Sequence, residues 1–160
     1  MIDRLPPQSL EAEQSVLGAL LIDKDAVIEV ADFLRPEDFY RGHHGTIYGA
    51  VLDLYERREP VDLVTVSEVL ERRGQLDAIG GSAYLTSLIN LTPTAVNSVH
   101  YGRIVERKAV LRNLIGAAGR IAGIGYEDPA EIQEAIDRAV DLVRATRDAS
   151  VTSDGSRRHE

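Results

Sequence analysis

The residues that most often carry chemistry are few in this chain. It has no cysteine, and only two of its 160 residues are lysines. Lys24 lies between two aspartates, and Lys108 follows Arg107. A phosphate-binding loop places its lysine directly after a glycine, so neither lysine fits such a loop. The sequence therefore indicates no nucleotide cradle, and the lack of thiols excludes disulfides, thiolate zinc sites and cysteine nucleophiles.

His43 and His44 are the local candidates for a metal site. Adjacent residues on a helix point about 100° apart, so they do not form the i, i+4 pair that zinc motifs use. A role at a helix start or in packing is expected for them. The carboxylates Glu11 and Glu13 suit the first turn of the first helix, where they face the positive end of its dipole. We therefore predict no catalytic residue, no metal and no cofactor in this chain.

Composition restricts the class of protein further. Hydrophobic residues make up 44 % and charged residues 28 %, which is typical of a soluble globular protein. No run approaches the ~18 apolar residues of a membrane span, and the N-terminus lacks a signal-peptide stretch, so a cytoplasmic protein is expected. The formal net charge is −8. This makes direct DNA binding less expected, because neutralisation of phosphates supplies most of such affinity.

The hydrophobic pattern is helical from end to end, with Gly and Pro between the periodic segments. Five helices are predicted before Pro93, at about 9–22, 24–34, 43–58, 65–74 and 80–89. Thr65 and Glu68 have the spacing of a capping box at the start of the fourth. A long helix follows at about 97–124. Asp128 and Pro129 then have the pattern of an N-cap and a first helical residue, which predicts a last helix to about residue 147.

These segments predict an all-α fold in two parts. Residues 1–96 are expected to form a compact globular subdomain of five to six helices. Residues 97–147 are expected to form a C-terminal antiparallel helical hairpin. The remainder, 148–160, is polar and unpatterned, which is typical of a disordered linker or tail.

The hairpin has features of a surface that meets other chains. Its first helix would be roughly 40 Å long, and Gly116, Gly119 and Gly123 each lower its helix propensity by up to ~1 kcal/mol relative to Ala. Between residues 98 and 125 there are five basic residues and one acidic; between 126 and 145 there are two basic and six acidic. Opposite charges favour pairing within a hairpin or between two hairpins. The residues predicted to form the interface are Tyr101, Ile104, Lys108, Leu111, Ile115, Ala118, Ala122, Ile132, Ile136, Ala139 and Val143.

Two other interpretations of the hairpin stay open. Its apolar stripes could simply pack on its own domain, as most amphipathic stripes do. Its basic first helix could instead contact nucleic acid. The residues that would do so are Arg103, Arg107, Arg112 and Arg120.

Several motifs, taken in order, carry a resemblance to a known family. Leu5-Pro6-Pro7, followed by the stretch EAEQSVLGALL at 11–21, resembles the opening of DnaB-type replicative DNA helicases. Further matches follow in the family's order over about residues 5–145: Phe39-Tyr40, His44, Ile47-Tyr48, Pro60, Asp62, Thr65, Leu70, Gly80-Gly81, Tyr84-Leu85, Leu88, Thr92-Pro93, Ala95, Asn97, Tyr101, Ile104-Val105, Arg107, Ala109, Arg112 and Leu114-Ile115. Gly102 departs from the pattern, because the family commonly has Ala there. The family's ATPase domain is also absent from this segment.

The resemblance implies the non-catalytic collar domain of a hexameric helicase that encircles single-stranded DNA and moves 5′ to 3′. In that family the hairpins pair between neighbouring subunits, and the collar docks primase. The expected partners are therefore a second copy of the chain, primase, and a helicase loader, with single-stranded DNA reached only through the full hexamer and no membrane. ATP and Mg would belong to the missing motor domain. The alternatives are the helicase-binding domain of a primase, which resembles the same fold, and a small helical DNA-binding regulator.

Overall fold

The computed structural model describes residues 4–92 and 97–158. These residues contain seven α-helices and no strand. The all-α prediction is therefore confirmed. A short 3-10 turn at Pro36–Asp38 lies between the second and third helices. In chain order the helices are α1 Leu10–Ile22, α2 Lys24–Ala31, α3 Gly42–Glu56, α4 Leu63–Arg72, α5 Gly81–Leu91, α6 Ser98–Tyr126 and α7 Ile132–Arg158.

The contacts within the chain divide it into two units. One unit, here called the head, is Gln8–Glu106, and the other combines Met1–Pro7 with Arg107–Glu160. The division therefore falls inside α6, whereas the sequence predicted a boundary between residues 96 and 97. The second unit contains the greater part of the long helix together with α7, and these two form the hairpin.

Helix α1 lies at the centre of the head because it is apolar on most of its surface. Val16, Leu17 and Leu20 are fully buried. Gly18 has no room for a side chain, because a Cβ there would collide with Thr92 and with the carbonyl oxygen of Leu88 at the end of α5. The glycine thus allows α1 and α5 to pack closely, which buries the apolar surface that stabilises the head.

Helix α4 begins one turn earlier than predicted. Its N-cap is Asp62, whose carboxylate accepts a hydrogen bond of 2.9 Å from the backbone N–H of Thr65, while Thr65 Oγ1 accepts one of 3.0 Å from the N–H of Asp62. The capping box predicted at Thr65 and Glu68 is therefore wrong. Aspartate is among the strongest N-cap residues, and an earlier start adds a turn while leaving Val66, Val69 and Leu70 buried.

The start and the end of α7 also differ from the prediction. Asp128 is not the N-cap. Its φ of 51° puts it in the left-handed region, which aspartate tolerates better than most residues, so it reverses the chain instead. The helix begins at Ile132 and continues to Arg158. The tail predicted to be disordered is thus helical over 148–158, because no proline follows Pro129 and extending an existing helix needs no new nucleus. Residues 159–160 lie outside the described residues.

Within residues 4–92 and 97–158, no helix combines the length and the apolar character needed to cross a membrane.

Candidate interaction surfaces

The two hairpin helices bury a narrow stripe each. On α6 the stripe contains Ala117 and Ile124, which are buried, and Ile121, which is half-buried. On α7 it contains Ala135, Ala139 and Leu142, all half-buried. At about 100° per residue, each set lies within an arc of about 60° on its helix. Alanines make up much of each stripe, so the helix–helix contact is narrow. Each helix therefore has further apolar side chains that lie outside the buried stripe.

These remaining apolar side chains form what we call the hairpin face. Their exposed fractions run from 39 % for Val140 to 66 % for Ile132. On each helix, the exposed apolar set is rotated about the helix axis from the buried stripe, and the direction of this rotation is the same for α6 and α7. Because the two helices are antiparallel, both exposed sets lie on the same side of the hairpin. An exposed apolar surface of this kind marks an interaction site more often than a single exposed residue does. The hairpin face consists of Leu114, Ile115, Ile132, Ile136, Val140 and Val143.

The opposite side of the hairpin is charged. There an open groove of about 580 Å³ runs between the helices over Ile124 and Leu142. Its rim carries Arg120, Glu127, Arg138 and Asp141, and Arg138 pairs with Glu127 at 3.7 Å. The hairpin therefore has one apolar side and one charged side.

The residues predicted to form the interface differ in exposure. Tyr101 and Ile104 are half-buried and pack against the core of the head. For these two residues, the structure agrees with the alternative that the apolar stripe packs on its own domain. Lys108, Leu111 and Ala139 are also half-buried. The exposed members are Ile115, Ala118, Ala122, Ile132, Ile136 and Val143. Their role in an interface stays a prediction.

The four arginines suggested as nucleic-acid contacts do not share one side of α6. Arg103 pairs with Glu106 at 3.0 Å. Arg112 donates a hydrogen bond of 2.7 Å to the carbonyl oxygen of Pro7, and Arg107 and Arg120 are exposed. By helical spacing Arg103 and Arg107 lie on one flank, whereas Arg112 lies roughly 140° or more from both of them and Arg120 lies roughly 100° to 140° from them. The helix thus offers no single basic stripe, and the nucleic-acid role also stays a prediction.

A buried polar network in the head was not anticipated from the sequence. Glu13 and His44 are exposed by 1 % and 0 %. The Glu13 Oε1 atom lies 2.7 Å from His44 Nδ1, and His44 Nε2 lies 2.6 Å from the hydroxyl of Tyr84. The three residues belong to α1, α3 and α5, so spacing along the chain gives no signal for their meeting. His44 has the packing role predicted for it, whereas Glu13 is a buried partner rather than a solvated dipole residue.

Glu13 also fixes the chain that leads into α3. Its carboxylate accepts hydrogen bonds from the backbone N–H groups of Tyr40 at 2.7 Å and Arg41 at 3.3 Å. A buried carboxylate is tolerated only when its acceptors are satisfied, and here three donors converge on it. The network thus holds three helices and one loop in a single arrangement. Among the described residues, no group of three side chains has the composition of a metal site.

Two further groups in the head are perturbed by burial. Burial raises the pKa of Asp38 to about 6, although its hydrogen bond from the Arg35 N–H, at 2.9 Å, acts in the opposite direction. Burial also raises the pKa of Tyr48, with a smaller contribution from the charge of Asp38. The Tyr48 hydroxyl donates to the carbonyl oxygen of Leu34 at 2.9 Å, so it is satisfied in its protonated form.

A helical head and a two-helix hairpin define a small all-α domain. Residues 5–107 match the family model described as DnaB-like helicase N terminal domain. The chain belongs to this family, and the assignment predicted from the sequence is confirmed.

The chain is similar to replicative DNA helicases over most of its own length. It is 51 % identical over 138 residues to the replicative DNA helicase DnaB of Mycobacterium leprae (strain TN), a match that covers 85 % of this chain and 23 % of the relative. It is 50 % identical over 137 residues to the DnaB helicase of Geobacillus stearothermophilus, covering 86 % of this chain and 30 % of that one. The chain thus spans less than a third of the length of these relatives.

Solved structures agree with the fold. The crystal structure of the N-terminal domain of DnaB helicase from Mycobacterium tuberculosis has a TM-score of 0.84 and 49 % identity, covering 88 % of this chain and 99 % of that one. A DnaB-like replicative helicase, described together with its interactions with primase, has a TM-score of 0.68 and 29 % identity over 84 % of this chain and 31 % of that one. The domain is therefore of the kind found at the N-terminus of replicative helicases.

Proposed function

We propose that this chain is the non-catalytic collar domain of a hexameric replicative DNA helicase and that it assembles through its hairpin. The observation that carries the proposal is the hairpin face, where two helices expose six large aliphatic side chains on one side. Burying such surface stabilises by roughly 25 cal/mol per Å². A second hairpin presents an identical surface, so a two-fold pair is the simplest way to cover it.

Docking of primase or of a helicase loader is the second part of the proposal. Support for primase comes from the structural neighbour described with its interactions with primase. The chain offers one apolar and one charged side on the same hairpin. We expect the apolar side to serve self-association, which leaves the charged side and the head for other proteins.

The remaining expectations concern chemistry and location. The domain would hydrolyse no ATP and bind no metal of its own, and a separate motor domain would supply both functions. Single-stranded DNA would be reached only through the assembled hexamer, in the cytoplasm. The alternative of a primase domain has less support, because the relatives named above are helicases. A DNA-binding regulator has less support because the arginines of α6 point to different sides.

Sedimentation equilibrium of the chain tests the self-association. We expect a concentration-dependent dimer, and we expect Ile115→Asp or Val140→Asp to weaken it at least about a hundredfold, because a charge would be buried at the centre of the contact. Both side chains are already exposed, so the fold should tolerate the changes.

The matched control is Asn113→Asp, which adds the same charge at an exposed position on another side of α6. It should leave the dimer unchanged. A chain that remains monomeric at millimolar concentration, or a dimer indifferent to both aspartate variants, would refute the proposed use of the hairpin face.

A further inference from the structure

The N-terminal arm of the chain, residues 4–7, belongs to the same unit as the hairpin. Contacts within the chain group it with Arg107–Glu160 rather than with the head. Arg112 of α6 donates a hydrogen bond of 2.7 Å from Nη1 to the carbonyl oxygen of Pro7, across 105 positions of sequence. The bond is partly buried, and the lower local dielectric strengthens it relative to a bond in water. We call this bond the arm clasp.

Arg112 lies at one edge of the hairpin face. The side chains of Leu114, Ile115 and Arg112 follow one another at about 60°, 160° and 220° from the buried Ala117, in one rotational direction about α6. Arg112 and Ile115 are three positions apart, so they are neighbours on the helix surface. The arm clasp therefore holds the arm beside the edge of the hairpin face that is farther from α7.

The arm presents one large aliphatic side chain. Leu5 is 82 % exposed, more than any other leucine, isoleucine or valine among the described side chains. It is two residues from Pro7, so the two Cα atoms are no more than about 7 Å apart. Pro6 and Pro7 fix φ at about −65°, so the arm loses little conformational freedom when a partner covers it. A leucine held beside an apolar face in this way extends that face.

We propose that the arm is a third element of the pairing surface, after α6 and α7, and that Arg112 is the residue that positions it. In a pair of chains, the hairpin of the second copy covers Leu5 together with the hairpin face. A second copy is the expected occupant because the arm is continuous with the surface that this copy covers. A two-fold pair contains the contact twice. The inference rests on the proposed pairing of hairpins and adds to it the arm and its clasp.

Sedimentation equilibrium of the 160-residue chain measures the contribution of the arm. Leu5→Asp should weaken the dimer about tenfold, because a carboxylate would be desolvated in the contact. Arg112→Ala should also weaken the dimer, because the arm is then no longer held beside the face. The matched control is Val64→Asp, which changes an aliphatic side chain of the head that is 64 % exposed. It should leave the dimer unchanged.

The double variant distinguishes a clasp from a direct contact. If Arg112 acts through the arm, Leu5→Asp/Arg112→Ala should dimerise no more weakly than the weaker of the two single variants, because both changes remove the same contribution. Additive losses would show that Arg112 itself contacts the second copy, and they would overturn its positioning role. Unchanged helical circular dichroism would show that each variant folds.

Cysteine alkylation gives an independent measurement, since the chain contains no cysteine of its own. Leu5→Cys should lose most of its reactivity with N-ethylmaleimide when the chain is dimeric, compared with the same chain diluted to the monomer. Adding Arg112→Ala should abolish this protection even at concentrations where the dimer forms. Val64→Cys should react at the same rate in the monomer and in the dimer.

The arm and the hairpin face fail separately. If Ile115→Asp leaves the dimer unchanged, the pairing of hairpin faces fails and the inference about the arm fails with it. If Ile115→Asp dissociates the dimer while Leu5→Asp and Arg112→Ala do not weaken it, only the inference about the arm is overturned. Equal alkylation of Leu5→Cys in the monomer and the dimer would overturn it as well.

Discussion

The guanidinium of Arg103 lies 3.7 Å from the centroid of the Phe33 ring. The preceding residue, Gly102, faces the same ring, since a Cβ there would lie 3.1 Å from Phe33 Cζ. The glycine thus lets the first turns of α6 approach the ring closely, and the cation over the ring adds about 0.5–1 kcal/mol at a partly exposed site. This close approach gives a physical reason for a glycine at position 102.

Gly102→Ala is therefore expected to stabilise the chain less than helix propensity alone would. Replacing glycine by alanine in a helix is worth about 1 kcal/mol, but here Phe33 is buried and must shift to make room. Gly119→Ala is the matched control, because it lies on the same helix with open space around it. Chemical unfolding should show the full gain for Gly119→Ala and at least about 0.5 kcal/mol less for Gly102→Ala. Equal gains would contradict the close-approach explanation.

The second prediction concerns the buried carboxylate. Glu13→Gln should lower the free energy of unfolding by about 1–3 kcal/mol, because one amide oxygen replaces a carboxylate on which three donors converge. Glu11→Gln removes the same charge at an exposed position of α1 and should change stability by less than about 0.5 kcal/mol. Denaturant titration of both variants gives the comparison. Similar losses for the two would mean that the network contributes little.

The third prediction is a pH dependence that arises from Asp38. Burial raises its pKa in the folded chain to about 6, above the usual value of 3.8, so the folded state holds the proton more tightly than the unfolded state. The contribution of this group to stability is therefore present below about pH 4 and is lost as the pH rises through about 6. Asp38→Asn should keep a hydrogen-bond acceptor for the Arg35 N–H, and its stability should not fall in this way as the pH rises.

Unfolding free energies measured from pH 4 to pH 7 should thus fall in the wild type relative to Asp38→Asn. The difference between the two profiles removes the contributions of the other carboxylates. Asp77→Asn, at an exposed position, is the control and should run parallel to the wild type. Parallel profiles for Asp38→Asn as well would show that burial does not raise the pKa of Asp38.

Local patterns predicted most of the helices, and tertiary contacts account for what they missed. Helical periodicity predicted the long α6 and its antiparallel partner, because both signals lie within a few turns of chain. The predicted start of α4 was one turn too late, because the sequence contains two overlapping capping-box patterns. The structure forms the one at Asp62 and Thr65 rather than the one at Thr65 and Glu68. The Glu13–His44 pair joins residues 31 positions apart, and no spacing rule relates them.

The hairpin was predicted as an interface, but not the side of it that stays open. Sequence spacing groups Tyr101 and Ile104 with Ile115, because all three fall on one helical stripe. In the structure the first two pack on the head, and Ile115 is exposed. The part of a helical stripe that is buried depends on where the neighbouring helices end. The sequence pattern of one helix does not contain this information.

The network of Glu13, His44 and Tyr84 has a consequence for how this sequence can change over time. Each of the three groups satisfies a neighbour that has no access to bulk water, so replacing one leaves the next without its partner. Substitutions at these positions are therefore tied to one another, and a tolerated change at one of them calls for a compensating change at another. We therefore expect the three sites to change together, although they lie on helices far apart in the chain.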